Sequence, residues 1–334
     1  MITGRYPNLR LRRGRKESWS RRLVQENSLS HNDFILPIFL IEGSNYKQKI
    51  PSMPGVYRYT VNRLSQIIDK ALKNRIPMVA LFPKTKPVLK NELGSEALNE
   101  KNLVCRAILE IKKRYKNQIG IMCDVALDPY TSHGHDGLVK SNKILNDETI
   151  DILINQSLLQ AEMGCDVIAP SDMMDGRIEK IRQYLDKNNK KETLIMSYAV
   201  KYSSNMYGPF RSAVSAGSKL GSDKKNTYQM DYGNINEAIR EASLDIKEGA
   251  DILLIKPGIM YLDVLREVKN TLKFPTFSYQ VSGEYSMLKR AILSGEYKEE
   301  DLLMETFLCF KRAGADAIIS YFALDMAKIL KKGC

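Results

Sequence analysis

The chain contains eight short apolar segments, and helix-like stretches separate most of them. Each segment is continuously apolar rather than alternating, which is typical of parallel strands covered on both faces. The segments read FILPIFL, MVALFP, IGIMCDV, CDVIAPS, TLIMSY, DILLIKP, TFSYQV and DAIISYF. Eight strands alternating with helices in 334 residues predict a (β/α)8 TIM barrel. A doubly wound sheet is the alternative, but no glycine-rich phosphate loop follows the first segment.

Three predicted helices end at glycines, which supports the alternation. The helical patterns over 147–164, 234–249 and 299–314 close on Gly164, Gly249 and Gly314. A glycine after the last turn is a C-cap signal. The same helix–glycine–strand unit recurs as MGCDVIAP, EGADILLI and AGADAIIS, a weak internal repeat that indicates reuse of one βα unit.

Composition narrows the class of protein. Hydrophobic residues make up 43% of the chain, which supports a sizeable core. No apolar run approaches the ~18 residues of a membrane span, so no membrane partner is expected. The absence of an apolar stretch near the N-terminus argues against secretion. The five cysteines are scattered and form no C-x-x-C motif, which suits a reducing cytoplasm rather than a disulfide framework.

The first 33 residues are rich in arginine and precede the first predicted strand. They are interpreted either as a mitochondrial-type transit peptide or as an arm that packs on a neighbouring subunit. Glu17 and Glu26 favour the arm, because transit peptides are poor in acids. The catalytic barrel is then predicted over 34–334. The net charge of +12 raises the possibility of a nucleic-acid partner, but aromatic residues are not interleaved with the basic clusters and no recognition motif is present.

Polar residues stand at the predicted carboxyl ends of the strands, where barrels of this kind build their active sites. They are Asp124, Ser171, Lys201, Lys256, Ser282 and Tyr321. Lys256 ends the most apolar segment, so burial should lower its pKa and leave a neutral amine able to form a Schiff base with a carbonyl. Lys201 ends the preceding strand and, if adjacent, would lower that pKa further. The alternative is that one or both lysines reach solvent.

Residues 202–230 show no clear period and are rich in glycine, serine and lysine. They are predicted to form a loop over the barrel mouth, either a lid or a mobile surface loop. On such a lid, Arg211, Lys225 and Gln229 are candidates to bind a substrate carboxylate.

The stretch DVALDPYTSHGHDG places His133 and His135 between Asp128 and Asp136 and raises the question of a metal site. It is also one of a series of motifs in fixed order. The others are MPGVYRY, APSDMMDGRI, YGPFR, TYQMD, IKPGIMYLD, YQVSGEY and KRAGAD. Together they closely resemble the porphobilinogen synthase (5-aminolevulinate dehydratase) family over about residues 8 to 328.

The resemblance implies a (β/α)8 barrel with an N-terminal arm, assembled as a homo-octamer. It implies condensation of two 5-aminolevulinate molecules to porphobilinogen with loss of two waters. Lys256 matches the Schiff-base lysine of the first substrate (the P side) and Lys201 that of the second (the A side). The remaining matches are Ser282 and Tyr321 to the P-side carboxylate, Arg211, Lys225 and Gln229 to the A-side carboxylate, and Asp124 and Ser171 to the P-side amine. The neighbouring Lys224 is an alternative to Lys225 for the lysine in this A-side set.

The metals implied by the resemblance differ from those of the zinc-dependent members. Where those members carry three cysteines, this chain has Ala126, Asp128 and Asp136, so no catalytic zinc is expected. The two aspartates are left to bind a weak cation (potassium or magnesium) or to orient substrate. Glu241 matches a glutamate associated with allosteric magnesium. An aldolase on the same barrel is a rival function, but it needs only one lysine.

Overall fold

The structure, a computed structural model, describes residues 4–214 and 225–332 and contains a closed eight-stranded barrel. Each strand pairs in parallel with the next, and the last pairs with the first. All eight predicted segments contain or overlap one of these strands, which confirms the predicted TIM barrel. The strands are β1 (Phe34–Ile41), β2 (Met78–Lys84), β3 (Gly120–Val125), β4 (Val167–Pro170), β5 (Leu194–Lys201), β6 (Ile252–Lys256), β7 (Thr276–Tyr279) and β8 (Ile318–Ile319).

A helix follows each strand on the outside of the barrel. These are α1 (Ser65–Lys73), α2 (Leu103–Tyr115), α3 (Asn146–Glu162), α4 (Arg177–Lys187), α5 (Asn236–Glu248), α6 (Leu262–Leu272), α7 (Glu299–Ala313) and α8 (Ala323–Lys332). The predicted helix ends are confirmed. Gly249 and Gly314 cap α5 and α7 in the left-handed conformation, with φ of 104° and 108°, which a residue with a Cβ adopts only with strain.

The core lies inside the barrel and between the strands and the helices. Every residue of β1 is buried, as expected for a strand covered on both faces. Phe34 of β1 meets Phe307 of α7 edge to face, with ring centroids 5.1 Å apart. Such aromatic pairs stabilise by about 0.5–1.5 kcal/mol beyond the area they bury.

The N-terminal segment 4–33 lies mostly on the surface. It contains a 3-10 turn (Leu11–Arg15) and a short helix (Ser18–Leu23), neither of which has a buried residue. Leu29 packs against the core, but the segment's other large apolar side chains are exposed, and these are Tyr6, Leu9, Leu11, Trp19, Leu23 and Val24. Apolar surface of this kind is typical of a segment that contacts another protein.

The predicted loop over the mouth is more ordered than its sequence suggests. A 3-10 turn (Asn205–Tyr207) leads into a helix over Gly208–Val214, named here the mouth helix. Pro209 in its first turn fixes a helical φ and lacks an N–H that would have no partner there. Interpreting this part as a loop was therefore wrong. Lys224 and the rest of 215–224 lie outside the described residues.

Two small additions flank the barrel. Strand Tyr57–Tyr59 extends the sheet in parallel to β1, with Arg58 opposite Phe39, and pairs antiparallel with Lys47–Lys49. A hairpin of Leu138–Lys140 and Lys143–Leu145 follows β3.

None of the helices in the described part of the chain combines the length and the apolar character that a membrane span requires.

Candidate active site

The two lysines predicted at strand ends occupy neighbouring positions on paired strands at the barrel mouth. Strands β5 and β6 pair so that the Cα of Lys256 is opposite that of Lys201. The register shifts on the way, because Leu253 is opposite Ser197 whereas Ile255 is opposite Val200. Strand β5 therefore carries one extra residue, a bulge of the kind that re-aims side chains beside active sites. Without it, the partner of Lys256 would be Val200.

Lys256 lies in an aromatic cage. Its Nζ is 5.0–5.4 Å from the ring centroids of Tyr198, Tyr207, Tyr279 and Phe210. The residue is only 8% exposed. Burial, helped by the charge of Lys201 and opposed by Asp124, lowers the pKa of Lys256 to about 7. Near neutral pH a large fraction of this amine is thus unprotonated and nucleophilic.

Lys201 lies in a polar environment instead. Its ammonium donates a hydrogen bond to the carbonyl oxygen of Ser171. Its Nζ also lies 3.5 Å from Asp136 Oδ2. The two lysines thus differ in environment, since rings surround one and a carboxylate lies beside the other.

Asp136 is the centre of a buried ion cluster. Its carboxylate lies 2.9 Å from Lys225 Nζ and accepts a hydrogen bond from Gln229 Nε2 at 3.3 Å. Lys225 Nζ is also 3.6 Å from Asp128 Oδ2. Burial raises the pKa of Asp136, but the ammonium groups of Lys201 and Lys225 outweigh it and hold that pKa well below its ordinary range. Asp136 is therefore ionised, whereas burial and the charge of Asp136 raise the pKa of Asp128.

Asp124, near the end of β3, is the third predicted catalytic residue. It is partly buried and lines the same cavity as both lysines. Burial and the charge of Asp128 raise its pKa to about 6, although Lys256 and Lys201 oppose the rise. A carboxyl group with this pKa exchanges protons readily near neutral pH.

Ser282 and Tyr321 lie on the Lys256 side of the mouth. Ser282 begins the helix Ser282–Leu293, and its Oγ accepts a hydrogen bond from Phe210 N at 2.8 Å. The hydroxyl of Tyr321 is 3.0 Å from that of Tyr279, whose ring borders Lys256. Ser282 and Tyr321, the two residues predicted to bind the first substrate's carboxylate, therefore each contact a residue of the aromatic cage around Lys256.

The histidines of the His-Gly-His motif form hydrogen bonds within the protein. His133 Nε2 lies 3.3 Å from the carbonyl oxygen of Glu92, and its Nδ1 accepts from His135 N at 3.1 Å. His135 Nδ1 lies 3.2 Å from the hydroxyl of Tyr228. Across the described residues, no group of three or more His, Cys, Asp or Glu side chains is arranged to hold a metal ion.

Glu241 lies away from this cavity, half-buried on α5. Burial raises its pKa, with Arg177 opposing and Asp245 adding to the rise. Arg177 Nε is 3.5 Å from Asp172 Oδ2, and its Nη2 is 3.4 Å from Asp245 Oδ2. Two carboxylates, those of Asp172 and Asp245, therefore pair with Arg177, and Glu241 lies close enough for the charge of that arginine to affect its pKa.

One cavity joins nine of the predicted residues, and two residues that the sequence reasoning missed also line it. The predicted ones are Asp124, Asp128, Asp136, Ser171, Lys201, Arg211, Lys225, Gln229 and Lys256. The missed ones are Tyr207 and Phe210, both of them cage members. Both lie in the motif YGPFR, but no local pattern shows that its rings meet a lysine from another part of the barrel. Two neighbouring, buried lysines in one cavity are typical of enzymes that act on carbonyl substrates.

Comparison with known proteins narrows this class. The family described as delta-aminolevulinic acid dehydratase matches residues 8–329. The delta-aminolevulinic acid dehydratase of Bradyrhizobium diazoefficiens is 53% identical over 97% of this chain and 91% of its own length. That of Bacillus subtilis is 45% identical over 96% of this chain and 98% of its own. The Toxoplasma gondii enzyme, solved in complex with its reaction product porphobilinogen, superposes with a TM-score of 0.94 at 43% identity, covering 96% of this chain and 91% of that one.

This chain belongs to the delta-aminolevulinic acid dehydratase family. It is a lyase, and its function is porphobilinogen synthesis in porphyrin (haem) biosynthesis. The resemblance found in the sequence motifs is thereby confirmed.

Proposed function

We propose that Lys256 and Lys201 each form a Schiff base with one of two 5-aminolevulinate molecules. The observation that carries this proposal is the opposed register of the two lysines on β5 and β6. Lys256 reacts first, because its pKa of about 7 leaves much of its amine neutral at physiological pH. Lys201 then binds the second molecule beside it. Holding both substrates in one cavity converts a bimolecular condensation into an oriented intramolecular step.

The chemistry balances with these groups. Each lysine amine adds to a substrate ketone and releases one water as the imine forms. The protonated imine draws electrons from the adjacent C–H bond and makes the imine carbon electrophilic, so carbon–carbon and carbon–nitrogen bonds can form between the substrates. As the carbon–carbon and carbon–nitrogen bonds form at the two imine carbons, the bonds from those carbons to the lysine nitrogens break, and both lysines return as free amines. The net reaction joins two substrates and loses two waters. Asp124 and the lysine amines carry the protons.

The substrate carboxylates are assigned to two sets of contacts. Ser282 and Tyr321 hold the one beside Lys256, and Arg211, Lys225 and Gln229 hold the one beside Lys201. Lys225 and Gln229 contact Asp136 in this structure. The carboxylate of the second substrate therefore competes with Asp136 for the hydrogen-bond donors of Lys225 and Gln229. Asp124 and Ser171 lie where they can contact the amine of the first substrate.

We further propose that this mouth works without catalytic zinc. Ala126 has no donor side chain, and Asp128 and Asp136 are hard oxygen ligands, whereas zinc prefers thiolates and imidazoles. The ammonium of Lys225 also lies between the two carboxylates, where it serves as their counter-ion. A monovalent cation or magnesium at this position competes with that lysine and is therefore weakly held.

The pH dependence tests the role of Lys256. The neutral amine is the reactive form, so kcat/KM should fall about tenfold for each pH unit below 7 and level off above it. Porphobilinogen formation from 5-aminolevulinate, measured between pH 5 and 9, gives the profile. Unfolding midpoints at each pH serve as the control for acid denaturation. A rate independent of pH between 5 and 7 would contradict this assignment.

We propose that Glu241 helps to bind a regulatory magnesium and that the protein assembles as a homo-octamer. The carboxyl groups around Arg177 support the first point, and the exposed apolar side chains of the N-terminal arm support the second. Arm contacts between subunits would cover Trp19 and Leu23, which are 59% and 77% exposed in the single chain. Magnesium then acts on assembly and takes no part in the lysine chemistry.

Sedimentation velocity with and without magnesium tests this proposal. Magnesium should shift the protein to larger species and raise activity several-fold, because binding to the assembled form favours that form by mass action. The Glu241→Gln variant should lose both responses, whereas Glu237→Gln, one helical turn earlier, should keep most of them. Identical sedimentation in the two conditions would count against a magnesium-linked assembly.

We place the enzyme in the cytoplasm. All four cysteines in the described part of the chain are free thiols, which suits a reducing compartment. The net charge of +12 is assigned to solvated surface, to the arm and to attraction of an anionic substrate, without a nucleic-acid or membrane partner. Activity measured in soluble and membrane fractions of the source cells tests this location.

A further inference from the structure

Arg58 is a buried arginine outside the substrate cavity. It lies on the strand Tyr57–Tyr59, and only 5% of it is exposed. Its guanidinium donates three hydrogen bonds, from Nε to Ala213 O at 2.6 Å, from Nη2 to Ser212 O at 3.1 Å, and from Nη1 to Gln48 Oε1 at 2.8 Å. Among the described residues, no carboxylate lies within ion-pair distance of it.

Two of these acceptors are carbonyl groups in the last turn of the mouth helix (Gly208–Val214). Carbonyl oxygens in the last turn of a helix have no partner within the helix and carry partial negative charge. The Arg58 guanidinium therefore satisfies both carbonyls and places a positive charge at the end of the helix where it stabilises. A planar fork of donors suits two adjacent acceptors, and a lysine cannot reproduce it.

The mouth helix depends on contacts with the rest of the protein for its stability. It has seven residues, and helices shorter than ~12 residues are not stable alone. Its other end is held by Ser282 Oγ, which accepts from Phe210 N at 2.8 Å. Gly283 fits closely there too, because a Cβ at this position would lie 2.5 Å from Met206 O. Arg58 is the anchor at the carboxyl end.

The helix carries two residues of the active site. Phe210 lies 5.4 Å from Lys256 Nζ and packs against Phe82, at 5.4 Å between centroids. Arg211 lines the cavity and is assigned to the second substrate's carboxylate. Ala213 and Ser212, which Arg58 holds, follow Arg211 directly in the chain. A shift of this turn therefore moves the Arg211 guanidinium relative to the cavity.

We propose that Arg58 is a positioning residue for the second substrate. By fixing the carboxyl end of the mouth helix, it sets Arg211 at the distance that binds the carboxylate beside Lys201. It touches no reacting atom. Lys256 is held by β6, and Phe210 is held at the amino end of the mouth helix by Ser282 rather than by Arg58, so the first Schiff base depends on Arg58 less than Arg211 does. This inference rests on the proposed roles of Lys256 and Arg211.

The Arg58→Lys variant tests the proposal, because it keeps the positive charge and loses the fork. We expect KM for 5-aminolevulinate to rise about tenfold or more and kcat to fall, since one to two hydrogen bonds to a charged group are lost. The borohydride-trapped adduct on Lys256, mapped by mass spectrometry, should form to the wild-type extent. Gln48→Ala, which leaves both carbonyl contacts in place, should raise KM by a smaller factor.

Arg290→Lys is the matched control, since Arg290 is exposed on the helix Ser282–Leu293. Circular dichroism and the unfolding midpoint show whether each variant is folded. A KM for Arg58→Lys equal to that of Arg290→Lys would overturn the proposal. So would a parallel loss of the Lys256 adduct, which indicates general damage to the site. Wild-type protein that makes no porphobilinogen would instead refute the assigned activity itself.

Discussion

The Lys256→Ala variant is expected to make no porphobilinogen. It should also lose the borohydride-trapped adduct, because it lacks the lysine assigned as the first nucleophile. Lys256 is the amine whose pKa burial brings to about 7, inside a cage of four aromatic rings. Among the described residues that line the cavity, no other amine lies within such a cage. Loss of a covalent nucleophile typically lowers the rate by about 10⁴-fold or more.

The measurement is product formation together with the mass of protein treated with 5-aminolevulinate and borohydride. Lys247→Ala, an exposed lysine near the end of α5, is the control and should match the wild type in both assays. An adduct of undiminished amount on Lys256→Ala would show that another residue is the main nucleophile.

A pair of substitutions at Lys201 separates its charge from its nucleophilicity. Both Lys201→Ala and Lys201→Arg should lose product formation by about 10³-fold or more, because neither side chain forms a Schiff base. Both should still give the adduct at Lys256. The two variants should differ in the pH at which that adduct forms.

The charge of Lys201 lowers the pKa of Lys256. Alanine removes this charge, so the pKa of Lys256 rises and trapping shifts to higher pH. Arginine keeps the charge opposite Asp136, so trapping stays near its wild-type pH. Mass spectrometry of the trapped adduct across pH 5–9 makes the comparison. Product formation near the wild-type rate in either variant would exclude Lys201 as a second covalent residue.

The barrel was predictable because its signals are local. Eight continuous apolar runs and glycines at helix ends arise from burial on both faces and from backbone conformation, and both can be read in short windows. Lys201 and Lys256 were likewise predictable as neighbours, since both end consecutive strands. Their direct opposition depends on a bulge between Ser197 and Val200, however, and no residue pattern in β5 indicates that extra residue.

The parts that escaped prediction depend on long-range packing. The rings around Lys256 come from β5, the mouth helix with the turn before it, and β7, so their meeting is a property of the closed barrel. The mouth helix is too short to show a full period of apolar residues. Contacts with Arg58 and Ser282, both distant in the sequence, hold its ends instead. The contacts of Lys225 and Gln229 with Asp136 were also unforeseen, since spacing along the chain says nothing about them.

The most direct test of the central claim, that lysines carry out the chemistry without a catalytic metal, is porphobilinogen formation in excess chelator, followed by addition of magnesium. We expect activity to survive the chelator and to rise when magnesium is added. That result means that the reaction needs no chelatable metal at the mouth, where the Lys225 ammonium lies between the carboxylates of Asp128 and Asp136. Activity abolished by chelator and restored by zinc alone would mean that the aspartates and histidines of DVALDPYTSHGHDG hold an essential metal.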